Sequence, residues 1–428
     1  MDEILAHAAK DKFYLALEPR DRAFARLMLM TALRHHGDLT QLLSNYLQKP
    51  PAGKTGVREI LMIGAAQLLY MDVPPHAALD LAVADAKSSD KSQHLAKLVN
   101  AVLRRISREG ADLIAKDKTE RNIPAFLSKR WKDHYGEEKT AAMISAMLTE
   151  PALDLIVPED KDDWAKRLDG TPLFHNAIRL TQKGAISELE GYEEGAWWVQ
   201  DFAAQLPTAL MGDVAGLKVA DLCAAPGGKT AALAKAGAMV TAVDISSDRL
   251  QRLRENLTRL KITDAVEVVA KDVLSLNTPP LANSETQNSE DRFSAAFDAV
   301  LLDAPCSATG TIRRHPDILI TKTEPMIKEL ASLQKAMLKK AIDLVKPGGF
   351  LIYCTCSLEI EEGEQQIEEF LSQQENIQRE PFTKNEVFGQ EHWLTPLGDV
   401  RLTPEFAAAP EGQAIGMDGF FISRLRLT

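Results

Sequence analysis

Two cysteines stand where a thiol can do covalent work, each followed by a serine. They lie in Asp303-Ala304-Pro305-Cys306-Ser307 and Tyr353-Cys354-Thr355-Cys356-Ser357. Upstream is Asp221-Leu222-Cys223-Ala224-Ala225-Pro226-Gly227-Gly228-Lys229-Thr230, a glycine-rich turn after an apolar run. One chemistry open to two thiols beside such a turn is methyl transfer to a pyrimidine carbon. Cytosine C5 is a poor nucleophile toward a methyl sulfonium. A thiolate adding to C6 pushes electron density onto C5 and divides one hard step into two easier ones. A free thiol is only a few per cent ionised near neutral pH, so the site must favour the thiolate. After methyl transfer the C5 proton must leave and the C6–S bond must break, which calls for a base or a proton relay. Asp303, directly before Ala304-Pro305-Cys306, is suited to hold the N3 edge of the base and balance charge.

Three cofactors compete for the glycine turn. A nucleoside triphosphate wants Gly-x-x-x-x-Gly-Lys-[Ser/Thr]. Gly228-Lys229-Thr230 supplies the end, but Cys223 occupies the first glycine position. A dinucleotide favours G-x-G-x-x-G, absent here. S-adenosylmethionine has no phosphates to cradle and needs a close turn and polar edge contacts. Asp244, ending Ala242-Val243-Asp244, suits ribose hydroxyls, and Asp272, after Ala270-Lys271, suits an adenine edge. Taken singly, either aspartate reads equally as a helix cap.

Either thiol is a candidate for the attack. A Pro-Cys nucleophile would be Cys306 and a Thr-Cys nucleophile Cys356. Cys223 and Cys354 read as small buried apolar residues. Zinc would want four ligands in recognisable pairs. Cys354-Thr355-Cys356 is too tight for that, so no metal is expected.

The elements that must position these residues follow from periodicity. From Leu217 short apolar runs alternate with helices, as in a doubly wound α/β domain. Expected strands are 217–222, 239–243, 265–269, 299–302 and 350–355. Expected helices are 229–236, 247–260, 324–345 and 361–372. The polar stretch 277–291 reads as a flexible surface insertion. Residues 1–140 read as almost wholly helical, with helices expected over 22–33, 58–70, 77–86 and 95–106. Pro74-Pro75 breaks the pattern between the second and third. Arg313-Arg314, after the Pro-Cys loop, are a candidate phosphate contact or a solvated face, and Met417-Asp418-Gly419-Phe420-Phe421 reads by default as a sheet-packing segment.

These motifs, in this order, resemble the Nop/Sun family of RNA cytosine-5 methyltransferases. Arg58-Glu59-Ile60-Leu61, Pro74-Pro75-His76-Ala77-Ala78 and Val99-Asn100-Ala101-Val102-Leu103-Arg104-Arg105 resemble a NusB-type helical domain. Their combination is similar to the bacterial members that act on 16S ribosomal RNA. The stretch 181–205, with Trp197-Trp198 and Gln200-Asp201, resembles the family's small subdomain, although Ala203-Ala204 stands where a serine is common. The resemblance implies a multidomain chain. An all-α NusB-like RNA-binding domain covers 1–140 and a connecting subdomain 141–210. An α/β Rossmann-like class I methyltransferase domain covers 211–428. It implies S-adenosyl-L-methionine as cofactor, bound by Cys223, Ala224, Ala225, Pro226, Gly227, Gly228, Lys229, Asp244, Asp272 and Asp303. It implies Cys356 as nucleophile, Cys306 as the residue assisting release, and Asp303 as the third catalytic group. The partner implied is 16S ribosomal RNA, unassembled or partly assembled. Transfer RNA as substrate, or an inactive RNA-binding assembly or regulatory protein, are the alternatives.

Bulk properties agree with this frame. The chain of 428 residues is 45% hydrophobic with 6% aromatics, as for a globular protein of two or three domains. No apolar stretch reaches the roughly 20 residues of a membrane span, and Met1-Asp2-Glu3-Ile4-Leu5 is no secretory signal. Four cysteines without an export signal are expected to stay reduced in the cytoplasm. A monomer is expected. Net charge is -11, yet residues 1–140 hold about 22 Lys+Arg against about 18 Asp+Glu. That asymmetry leaves room for a local basic face.

Overall fold

The computed structural model describes residues 12–49, 51–115, 119–180, 184–276, 297–409 and 416–428. The stretch 277–291, expected as an insertion, lies outside the described residues. By contacts the chain divides into two compact units, 1–149 with 312–321, and 150–311 with 322–428.

The first unit is helical. Its core packs Val57–Tyr70, Pro75–Ser88 and Ala96–Ala115 against one another, with His36–Tyr46 alongside. Val57, Leu61, Ala65, Leu103 and Ile106 are fully buried. Their spacing is that of helix stripes facing a common core. Pro75 occupies the first turn of its helix, where a missing N–H costs nothing. Two further helices, Ala125–Tyr135 and Glu137–Met147, complete the unit's main chain run. The contact division also brings 312–321 into this unit. There Arg34 donates through Nη2 to the Arg313 carbonyl at 2.9 Å.

The second unit holds two sheets. The smaller one contains β1 (Leu153–Ile156), β2 (Gly170–Pro172), β3 (Ala177–Leu180) and β4 (Trp198–Val199), in the order β2-β3-β1-β4. These strands are two to four residues long. Asp154 of β1 and Arg179 of β3 form a buried ion pair at 2.7 Å inside it.

The larger sheet is built from β5 (Lys218–Leu222), β6 (Met239–Asp244), β7 (Val266–Ala270), β8 (Phe297–Asp303), β9 (Val345–Thr355), β10 (Ile377–Arg379), β11 (Val400–Leu402) and β12 (Phe420–Leu427). Its order is β10-β12-β9-β8-β5-β6-β7, with β11 beside β12. The strands β7, β6, β5, β8 and β9 run parallel, while β12 closes antiparallel to β9. The chain leaves β5 toward β6 and β7, then returns to the other side of β5 as β8. That reversal makes a crevice at the carboxyl ends of β5 and β8, where open α/β sheets bind ligands. Leu222 pairs with Leu302, and Asp303 with Cys354. The register therefore sets the glycine turn, the Asp303 loop and the end of β9 side by side.

The expected helix over 324–345 ends at Ile342, because Val345 already opens β9. The residues after it, Lys346-Pro347-Gly348-Gly349, belong to that long strand.

Candidate functional site

The glycine turn joins β5 to the helix Gly228–Lys235. Cys223 sits at φ 62 and Gly227 at φ 104. A side chain on Gly227 would lie 2.9 Å from Leu253, so this turn needs a residue without Cβ. The turn is tied down from three directions. Asp244 accepts from the Ala225 N–H at 3.1 Å. Asn256 donates to the Pro226 carbonyl at 3.1 Å, and Arg249 donates to the Ala225 carbonyl. Asp244 is buried and also accepts from the Ser246 N–H at 2.9 Å. Asp272 accepts from the Leu274 N–H at 3.0 Å, which is a cap of the short turn that follows it. Ile245, next to Asp244, is 71% exposed. An exposed isoleucine beside a buried carboxylate is an apolar platform that sequence reasoning passed over.

Lys229 leaves the turn for the neighbouring strand end. Its Nζ donates to Asp303 Oδ2 at 2.8 Å and lies 5.3 Å from the Phe420 ring centre. Burial works against the ammonium, but the Asp303 carboxylate, together with Cys354 and Asp221, raises the Lys229 pKa on balance. Asp221, at the base of the turn, is fully buried and accepts from Thr230 Oγ1 at 2.6 Å. Burial pushes its carboxyl up to about 7. Cys354 is buried, and its Sγ lies 3.6 Å from Asp303 Oδ1. Burial and then the Asp303 charge raise the Cys354 thiol, and the same two causes raise Cys223. A group held as thiol is a poor nucleophile.

Cys306 and Cys356 are partly buried, and their Sγ atoms are 3.4 Å apart. The hydrogen bond to Cys356, then burial, raises the Cys306 thiol well above its usual range. The Pro-Cys loop and the end of β9 are joined at several points. The Ala304 N–H donates to the Cys354 carbonyl, and the Gly310 N–H donates to the Cys356 carbonyl, both at 3.0 Å. Gly310 in turn accepts from the Gly419 N–H at 2.9 Å. A Cβ on Gly310 would stand 2.1 Å from the Gly419 oxygen, so the two backbones touch only because both residues are glycine. The stretch 417–421 thus supports the Pro-Cys loop as well as closing the sheet.

Glu362 and Gln334 were missed by sequence reasoning. Both are fully buried. Glu362 Oε1 accepts from the Ser307 N–H and from Gln334 Nε2, each at 2.9 Å. Glu362 Oε2 accepts from the Ser307 and Ser357 hydroxyls, each at 2.5 Å. Gln334 also donates to the Pro305 carbonyl at 2.9 Å. No spacing in the sequence announces this arrangement.

Arg313 corrects an expectation. It is 3% exposed, so it is not a free surface arginine awaiting a phosphate. Among the described residues, no group of three or more His, Cys, Asp or Glu is arranged to hold a metal. No described helix is long and apolar enough to cross a membrane.

Residues 212–426 match the model of a family described as 16S rRNA methyltransferase RsmB/F. Residues 2–108 match that of the NusB family. The ribosomal RNA small subunit methyltransferase B of Cronobacter sakazakii is 36% identical over 390 residues, covering 87% of this chain and 85% of its own. That of Pasteurella multocida is 35% identical over 406 residues, covering 91% and 84%. A solved structure of a methyltransferase homologue from Pyrococcus horikoshii is 28% identical. It covers 71% of this chain and 95% of its own, with a TM-score of 0.55.

Proposed function

The chain belongs to the 16S rRNA methyltransferase RsmB/F family, and from that premise we propose that it methylates C5 of a cytosine in 16S ribosomal RNA through a covalent cysteine intermediate. The observation that carries this reading is the pair of sulfurs 3.4 Å apart at the end of β9. S-adenosyl-L-methionine supplies the methyl group. The residues present suit it: a turn closed to any side chain at Gly227, the apolar face of Ile245, and Asp244 and Asp272 at neighbouring strand ends. The loop from Cys223 to Lys229 would hold the cofactor mainly through backbone, since Asp244 already organises that backbone.

In this reading Cys356 adds to C6. Cys306, held as a thiol beside it, relays the proton at release: as the C6–S bond breaks it gives its own proton to the departing Cys356 sulfur and takes up the C5 proton in its place. Asp303 faces the base edge, and Lys229 fixes the orientation and charge of its carboxylate. Cys354, buried and raised, stays out of the chemistry. The base must be unstacked to reach a thiol, so a loop or single-stranded target fits, as in RNA not yet fully assembled. We assign RNA docking to residues 1–140, a connecting role to 141–210, and methyl transfer to 211–428, all as a cytoplasmic monomer.

The test is a map of 5-methylcytosine in RNA from cells with and without the gene, joined to methylation of purified 16S ribosomal RNA by the protein. Loss of one 16S cytosine signal on deletion is expected. Loss of a transfer RNA signal instead would move the substrate. No change in any RNA, with no activity in vitro, would favour a non-catalytic RNA-binding role.

A further inference from the structure

The residue that follows each reactive cysteine is a serine, and both serines end on one carboxylate. Ser307 and Ser357 are fully buried, fifty residues apart in sequence, and 3.0 Å apart between hydroxyl oxygens. Glu362, in the turn Ile360–Glu362, meets both hydroxyls through Oε2 and the Ser307 N–H through Oε1. Its own backbone carbonyl accepts from Tyr353 Oη at 3.0 Å and Thr355 Oγ1 at 3.1 Å, both on β9. Gln334 holds Oε1 from the other side and also grips the Pro305 carbonyl. A buried carboxylate is costly unless its lone pairs are filled, and here four donors fill them. Such an arrangement is rigid because each donor would be orphaned if another moved.

We propose that Glu362 is a positioning residue that tethers the Pro-Cys loop to the end of β9 and so sets the distance between the two thiols. It touches neither sulfur in the hydrogen-bond network. It acts through the serine next to each. Its catalytic consequence rests on the reading of Cys356 as nucleophile and Cys306 as the thiol that assists release. If the tether is cut, the Pro-Cys loop is free to drift from the end of β9. Attack by Cys356 then survives better than release, because only release needs both sulfurs at one base. The charge of Glu362 adds a smaller effect, being one of the causes that keep Cys306 protonated, after Cys356 and burial.

Geometry and charge separate by substitution. In Glu362→Gln the amide oxygen still accepts from the Ser307 N–H and Gln334. The amide NH2 then faces two serine hydroxyls, which can rotate to accept. The tether is kept and the charge lost. In Glu362→Ala the tether is lost. Should that variant fail to fold, Ser307→Ala with Ser357→Ala cuts two of the four ties at little cost in volume.

The probe of distance is phenylarsine oxide on the full-length protein. It condenses with two adjacent thiols, forming two As–S bonds and releasing one water. Capture is read by intact mass, with Cys356→Ala as the control that abolishes this pair. We expect the wild type and Glu362→Gln to be captured at similar rates. Glu362→Ala, or the double serine variant, should be captured at least tenfold more slowly. In methylation assays the same tether-cut variants should lose about tenfold or more in kcat, with KM for RNA and S-adenosylmethionine within about twofold. They should also accumulate the covalent RNA adduct. Wild-type capture in both tether-cut variants would overturn the proposal. So would a Glu362→Gln variant as impaired as Glu362→Ala, because charge and not the tether would then matter. Thiol capture needs no methylation, so failure of the cysteine mechanism shows as an inactive or adduct-free wild type with capture unaffected.

Discussion

The sulfurs of Cys306 and Cys356 lie 3.4 Å apart although fifty residues separate them. Parallel pairing of β8 with β9 brings them together, since Asp303 is in register with Cys354 and each cysteine follows a few residues on. Two thiols at one point allow one to attack while the other keeps a proton. The hydrogen bond to Cys356, and then burial, raise the Cys306 thiol well above its usual range.

The two thiols should therefore fail differently. Cys356→Ala should abolish methylation and leave no covalent RNA adduct. Cys306→Ala should still attack but release poorly, so a denaturation-resistant protein–RNA band should build up when S-adenosylmethionine is present. Gel analysis with labelled RNA reads both. An adduct in Cys356→Ala and none in Cys306→Ala would reverse the roles.

Asp244 should matter to the cofactor more than to RNA. Its carboxylate accepts from the Ala225 and Ser246 N–H groups, so Asp244→Ala removes an organiser of the glycine turn. Losing hydrogen bonds to a charged acceptor costs about 1.5–3 kcal/mol each. With two such bonds lost, S-adenosylmethionine affinity should fall by roughly a hundredfold or more at 1.4 kcal/mol per decade. RNA affinity should change by less than about threefold. Calorimetry and filter binding on one preparation compare the two, and equal losses would make Asp244 a general structural residue.

Much of this site was legible in the sequence because strand ends carry their chemistry in short runs. Asp221 to Thr230, Asp303 to Cys306 and Thr355-Cys356 each follow an apolar strand, so the motif and its position were read together. Partnerships between runs were less legible. Lys229 read as a cofactor-loop residue, but its ammonium goes to Asp303, seventy-four positions away. Glu362 follows Ser357 by five residues in an acidic stretch, where one fully buried carboxylate looks like its neighbours Glu361 and Glu364. Arg313 and Arg314 looked alike in sequence, and only packing shows that the first is buried. Strands β1 to β4 escaped notice because runs of two to four residues are too short for an alternating pattern to emerge.

Asp221 should make stability depend on pH in an unusual direction. Burial raises its carboxyl from 3.8 to about 7, against the opposing Thr230 hydrogen bond. Between these values the folded state keeps a proton that the unfolded chain releases. The contribution of Asp221 to stability is thus full below about pH 4 and falls as pH rises toward 7. Asp221→Asn keeps an acceptor for Thr230 and removes the charge. It should raise Tm at pH 8, with the gain shrinking toward pH 4.5. At about 1.4 kcal/mol per pKa unit the whole effect is a few kcal/mol at most. Thermal melts of both proteins across this range decide it, and a constant Tm difference would remove Asp221 as the cause.

Lys229 and Asp303 should behave as one functional unit. Their ion pair is 2.8 Å long, with side-chain exposures of 10% and 30%. Lys229→Met leaves Asp303 without the ammonium that orients it, and Asp303→Asn leaves a buried ammonium short of its counter-charge. Breaking a buried pair by removing one partner is more damaging than removing both. Each single change should therefore lower kcat by tenfold or more, while the double variant should fall short of the product of the two losses. Residues in direct contact give coupling energies of about 0.5–3 kcal/mol in such a cycle. The cycle is run on single-turnover methylation rates at saturating RNA and cofactor, which removes binding from the comparison. Thermal melts of all four proteins are recorded beside it, so a loss of folded protein is not mistaken for a loss of rate. If the two losses simply multiply, Lys229 acts on the cofactor alone and Asp303 is oriented by something else.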